Sequence, residues 1–231
     1  MCGRFTLTEP DSDLLAQELG VSPGSLQEYE PRYNIAPTQE HFVLSLENED
    51  REALRARWGL VNSWAKDAKR ASNQINARSE TVDKTPAYRS AFKKRRCLVP
   101  VDGFFEWDRS GKVRQPYWIH RPGRALMFFA GLYELWQPEP GNWRRTFTIV
   151  TTAANSVVAN IHDRMPVVLD DADADRWLFP ETPLDDLKAL LRPADDSLLV
   201  MYPVSTRVNK PGPEDASLVE PIALAPAEAN S

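Results

Sequence analysis

Cysteine and histidine are scarce: Cys2 and Cys97 are the only thiols, and His41, His120 and His162 the only imidazoles, in 231 residues. Two cysteines cannot make a disulfide framework, and the histidines lack metal-ligand spacing. Neither a stapled scaffold nor a structural zinc site is expected, and no metal or cofactor is called for. No apolar run approaches the ~20 residues of a membrane-spanning helix. The start lacks the basic segment and apolar stretch of a secretory signal. These absences predict a cytoplasmic chain with both thiols kept reduced and no membrane partner.

Hydrophobic residues make up 42% and charged residues 26% of the chain, the balance of a globular protein with one sizeable core. A net charge of −5 argues at first against a polyanionic partner. The signs are segregated, however. Residues 51–100 hold thirteen Lys or Arg against four acids, residues 1–50 two against ten, and residues 170–231 five against thirteen. A phosphate-binding face needs a local excess of cations, whatever the total. Aromatic residues interleave with these bases, which favours a polyanion-binding face over a merely solvated one.

Periodicity predicts a short amphipathic helix over Asp11–Leu19, a Pro-bounded loop over residues 31–38 and strands over His41–Leu46 and Arg55–Leu60. Residues 64–85 read as irregular, with a helical turn near Ser79–Val82, and Pro86–Lys94 as a short helix. Successive strands follow at Arg96–Val101, Gly103–Trp107, Tyr117–His120, Met127–Leu135 and Arg145–Thr151. Helices are expected at Asp171–Leu178 and Leu184–Leu191 and a late strand at Leu198–Val204. The fold class expected is α+β: a single compact domain over residues 1–222 with an antiparallel, barrel-like sheet core and peripheral helices. Residues 223–231 are expected to form a flexible tail.

Cys2 directly follows the start methionine. Trimming of Met1, which small second residues permit, leaves an amine and a thiol on adjacent carbons. The amine titrates near ~7.7–8 and the thiol near ~8.5, so each has a reactive minority form at neutral pH. Such a terminus condenses with aldehydes, or acts as a nucleophile with its own amine as base. An ordinary buried cysteine is the competing reading. Glu106 lies in the aromatic run Phe104-Phe105-Glu106-Trp107, where desolvation would fit it for proton transfer, unless strand alternation turns it to water. His162 precedes Asp163 in a loop and is a candidate acid or base, or an idle surface histidine. Asn76 and Arg78 are candidates to hold an anion or carbonyl oxygen, with a surface ion pair as the alternative for Arg78.

Seven motifs occur in order: Met1-Cys2-Gly3-Arg4, Tyr33-Asn34-Ile35-Ala36-Pro37-Thr38, Arg57-Trp58-Gly59-Leu60, Asn76-Ala77-Arg78-Ser79-Glu80-Thr81, Arg95-Arg96-Cys97-Leu98-Val99-Pro100, Gly103-Phe104-Phe105-Glu106-Trp107 and His162-Asp163-Arg164-Met165-Pro166. Together they closely resemble the SOS response-associated peptidase family, over Met1 to about Val208. The resemblance implies recognition of abasic sites in single-stranded DNA by a monomer, nucleoid-associated when bound, and capture of the sugar aldehyde by Cys2 as a thiazolidine. It also implies Schiff-base, lyase-type chemistry and self-directed peptidase activity. Carried over by motif, Cys2 is the covalent residue, and Asn76 orients the amine or sugar. Glu106 handles protons, His162 acts as acid or base, and Arg4 and Arg78 hold phosphates. Trp58, Trp64 and Phe92 are expected as platforms for bases, and Trp107 as either a platform or core. Many relatives carry a proline where Asn62 stands and a second bulky residue where Ala65 follows Trp64, so weaker DNA wedging is expected. The alternatives are an amidohydrolase or peptidase with an N-terminal cysteine nucleophile, and a non-covalent single-strand binder.

Overall fold

The computed structural model describes residues 2–47, 50–111 and 113–224. Residues 225–231, most of the expected tail, lie outside the described residues, as does Met1. The first half comprises β1 (Phe5–Leu7), α1 (Ser12–Leu19), β2 (Arg32–Ile35), β3 (Glu40–Glu47), β4 (Asp50–Trp58), β5 (Asn76–Arg78) and α2 (Arg89–Lys94). Then follow β6 (Arg96–Val101), β7 (Gly103–Asp108), β8 (Gln115–His120), β9 (Met127–Glu139) and β10 (Asn142–Ala153). The chain continues through β11 (Arg164–Pro166), β12 (Val168–Leu169), α3 (Asp171–Leu178), α4 (Leu184–Ala189) and β13 (Val200–Pro203).

Strands β10, β4, β3, β6 and β9 pair in that order, and β9 pairs back onto β10, closing a ring. Closure removes the unpaired edges that an open sheet of this composition would expose. The pairings are mostly antiparallel, but β10 runs parallel to both β4 and β5. A second sheet, in the order β13-β8-β7-β1-β2, carries the start of the chain in its interior. The α+β expectation with a barrel-like core and peripheral helices therefore holds. The expected loop at residues 31–38 contains β2, paired with β1, and the irregular stretch 64–85 contains β5, paired with β10.

All six residues of β6 are buried. This explains its unbroken apolar reading: one side faces the barrel and the other lies beneath α3, whose Trp177 donates from Nε1 to Cys97 O at 3.0 Å. Arg96 is the exception in charge but not in burial. Its guanidinium donates to Trp177 O at 2.6 Å and Phe179 O at 2.7 Å, and to Phe92 O and Lys93 O. A cation at helix C-termini satisfies carbonyls that have no partner within the helix and complements their partial negative charge. Arg96 thus clamps α2 and α3 to the barrel.

Trp58 is fully buried. It stacks on Phe147 with an interplanar angle of 12°, lies 4.9 Å from Phe5 and donates from Nε1 to Ile75 O at 2.9 Å. Beyond it Gly59 adopts φ +121°, and a Cβ there would lie 2.7 Å from Ala71 O. The chain therefore leaves β4 by a path open only to glycine and returns at β5. Gly59→Ala is expected to destabilise the protein by about 1–3 kcal/mol, read as a lower urea midpoint with an unchanged m-value.

His41 is buried against the edge of Phe5, with Nε2 2.9 Å from Pro100 O. Burial pulls its pKa down from 6.5 to about 4. The unfolded chain takes up this proton near pH 6.5 and the folded chain only near pH 4. The neutral ring's contribution is therefore whole above pH 6.5 and declines as pH falls toward 4. The loss expected is about 3 kcal/mol. Thermal unfolding of the wild type and His41→Gln from pH 7 to 4 should show a shallower decline in the variant.

Candidate active site

The register of β1 on β7 sets the geometry. Phe5 pairs with Phe104 and Thr6 with Gly103, and Phe105 N donates to Arg4 O at 2.9 Å. Continuing that antiparallel register sets Gly3 opposite Glu106, so the head of the chain runs along the strand bearing the carboxylate. From the barrel side, Asn76 at the start of β5 donates from Nδ2 to Cys2 O at 2.8 Å. Asn76 is itself held by the pairing of Ile149 with it and by Tyr88 Oη, which donates to Asn76 O at 3.2 Å. Its Oδ1 is buried without a hydrogen-bond partner among the described residues. Cys2, Asn76 and Glu106 are thereby brought together from sequence positions far apart.

Glu106 is 1% exposed. Burial raises its pKa to about 7, against the lowering influence of the Trp107 backbone and of Arg109. The alternative of an outward-facing Glu106 is thus excluded. Cys2 is wholly buried, and its thiol lies well above the usual range because of burial and the adjacent Glu106 carboxylate. The expected thiolate minority near neutral pH is accordingly corrected: the resting sulfur is a neutral thiol.

His162 follows a short 3-10 turn, with its backbone N–H bonded to Val158 O at 2.9 Å. Its pKa lies below the usual imidazole value, chiefly through burial. Arg164 N donates to His162 Nδ1 at 3.0 Å, a contact that suits the neutral ring with its proton on Nε2. The Asp163 carboxylate, 3.0 Å from the same nitrogen, is 87% exposed and water-screened. The Glu106 carboxylate acts on Cys2, and Arg109 acts on both Glu106 and His162. One electrostatic environment spans the three.

Other candidates fall elsewhere. Arg78 is exposed at the end of β5. Its neighbour Glu80 is engaged by the Arg164 guanidinium, which also reaches Thr151 O at 2.6 Å. Arg4 is buried, bonded through Nη1 to Asn34 Oδ1 and to Val208 O. The expected phosphate contact there is corrected to a structural tie between the two ends of the chain. Trp58 and Phe92 are fully buried and offer no face to a base, so both are corrected to core residues. Trp107 is half-buried and donates from Nε1 to Asn209 Oδ1 at 2.6 Å. Trp64 is 72% exposed on the rim of a hollow of about 660 Å³ that also meets Lys66, Lys69, Arg70 and Gln74. Asn62 is buried and donates to Ala87 O at 2.7 Å, holding this loop where the sequence lacks a proline.

Two residues at the site were not singled out from sequence. Tyr88 gives no signal, because it reads as one apolar position of a short helix. Arg109 stands three residues after Glu106, and its turn position gives no hint that it faces the carboxylate electrostatically.

The family model described as SOS response associated peptidase (SRAP) matches residues 1–211. The Abasic site processing protein YoqW of Bacillus subtilis (strain 168) is 40% identical over 225 residues, spanning 95% of this chain and 99% of that protein. The Abasic site processing protein HMCES of Xenopus tropicalis is 33% identical over 218 residues, 80% of this chain and 64% of that one. A crystal structure of a protein from Bacteroides thetaiotaomicron superposes with a TM-score of 0.86 at 24% identity, covering 96% of this chain and all of the other, which speaks to fold alone. With the family match running from the head of the chain through the His162 loop, the chain belongs to the SOS response associated peptidase family.

Proposed function

We propose that this protein, after loss of Met1, captures abasic sites in single-stranded DNA as a covalent thiazolidine on Cys2. The observation that carries the reading is the head of the chain held between the Asn76 amide and a carboxylate of pKa about 7. The printed names of the relatives, abasic site processing proteins, support the substrate class. The opened deoxyribose presents an aldehyde. The Cys2 amine adds to its carbon, water leaves, and an imine forms. The Sγ–H bond then adds across C=N, sulfur to carbon and proton to nitrogen, closing a five-membered ring of Sγ, Cβ, Cα, nitrogen and the former aldehyde carbon.

Each side chain has a role in that sequence. A neutral thiol requires an acceptor for its proton, and a carboxylate poised near neutrality takes and returns protons with little bias. Asn76 fixes the Cys2 carbonyl through Nδ2, and its buried Oδ1 accepts from the amine or a sugar hydroxyl. His162, neutral with Nε2 protonated, donates to a sugar oxygen as the ring opens. Arg78, with Lys66, Lys69 and Arg70 around Trp64, attracts the phosphates. Release by reversal of the same steps belongs to the lyase-type chemistry of this reading.

Three outcomes are expected. On a denaturing gel, an oligonucleotide with one abasic site forms a shifted band with the natural chain. Cys2→Ala yields one only when borohydride traps the imine, and a heat-stable band from that variant without reductant contradicts the ring. Glu106→Gln should slow adduct formation by about a hundredfold at pH 8 and remove a rate step near pH 7 that rises as the carboxylate ionises, with unchanged affinity for undamaged DNA. Lost affinity with normal kinetics would make Glu106 a contact residue. Affinity should fall steeply as salt rises, and a flat response removes the phosphate face.

A further inference from the structure

The β9–β10 hairpin carries a patch that this chemistry does not use. Trp143 is 60% exposed, and the ladder slips in register between Asn142 and Arg144, an irregularity of the kind that re-aims side chains. Beside it lies a hollow of about 260 Å³ whose lining includes Arg55, Arg57, Trp136, Trp143, Arg144 and Arg145, with Glu40 its one acid. Arg55 is committed to Glu28 at 2.9 Å and Glu40 at 3.6 Å. No ion pair holds Arg57, Arg144 or Arg145 among the described residues, and Arg145 Nε is buried without a hydrogen-bond partner. Arg57, whose Nε donates to Thr38 O at 3.0 Å, stands with Arg144 and Arg145 around an exposed indole, and together they form a charged groove with a flat aromatic wall.

The groove is continuous with the candidate DNA surface. Val61 borders both this hollow and the larger one under Trp64, and Trp136 Nε1 donates to Ala65 O at 2.8 Å across their common wall. The larger hollow reaches Gln74, two residues before Asn76. Along β10, Trp143 stands six residues before Ile149, the register partner of Asn76, roughly 20 Å at ~3.3 Å per residue. Four arginines against the single acid Glu40 favour a phosphate chain over a mixed-charge protein surface. An exposed indole face suits unpaired bases, which stack irrespective of sequence.

We propose that this groove is a second subsite for the single-stranded flank of the lesion. Trp143 stacks a base, roughly 20 Å along β10 from Ile149, while Arg57, Arg144 and Arg145 meet phosphates. The subsite rests on the DNA reading above and extends it to a residue-level footprint.

The test uses the full chain with Trp143→Ala and Arg144→Gln, both exposed positions whose change leaves the packed core intact. Binding to undamaged single-stranded oligonucleotides of about 6 and about 20 nucleotides is measured against salt, alongside adduct formation on a short abasic oligonucleotide. Each variant is expected to lose roughly tenfold in affinity for the long strand. Arg144→Gln should lower the salt slope by about 0.7, and the short-strand adduct should form at the natural rate. Long-strand affinity and slope equal to wild type, with the adduct still forming, overturn the subsite and leave the proposed function standing. No adduct and no DNA binding by the natural chain overturn both. A loss seen only when the flank is duplex overturns the single-strand assignment.

Discussion

The hydrogen bond from Asn76 Nδ2 to the Cys2 carbonyl joins two sheets that share no strand. On one side it belongs to the barrel, through the parallel pairing of β5 with β10. On the other it belongs to the sheet in which β1 lies between β7 and β2. The seam is buried, and that burial sets the protonation of the groups along it. It lifts Glu106 to about 7, keeps the Cys2 thiol neutral and lowers His162. The same carboxylate on an exposed strand would be ionised throughout the physiological range and a poor proton carrier.

The cations divide by burial into two sets. Arg96 clamps two helices, Arg4 ties β1 to Asn34 and Val208, and Arg164 joins Glu80 to the Thr151 carbonyl. Arg95 pairs with Glu134 at 2.6 Å and Arg51 with Asp175 at 2.7 Å. These groups hold the scaffold around the site through internal partners. Lys66, Lys69, Arg70 and Arg78 remain on the surface, and they give the basic window its meaning. A count of charge along the chain could not separate the sets, because the separation depends on which carbonyls and carboxylates the fold brings near each guanidinium.

The strands of the second half were legible because β6 to β10 read as apolar or alternating runs broken by turns, and the fold keeps them so. β2 was hidden by the prolines that flank it. β5 was hidden because three residues carry little periodicity and their partner strand lies more than seventy residues further on. The site was legible where chemistry is unusual: a cysteine at position 2 and a carboxylate among aromatic rings. Trp58 and Phe92 misled for one reason. An aromatic beside basic residues looks like a stacking platform in one dimension, whereas the barrel and α2 turn both rings inward. Arg4 misled likewise, its neighbours in space being Asn34 and Val208.

The burial of Cys2 has a temporal consequence. The head of the chain leaves the ribosome first, while Asn76, Glu106 and His162 are still unsynthesised. In the finished fold the Cys2 side chain lies wholly within the seam between the sheets. The segment made first therefore gains its surroundings last, when residues more than seventy and more than a hundred positions downstream fold back around it.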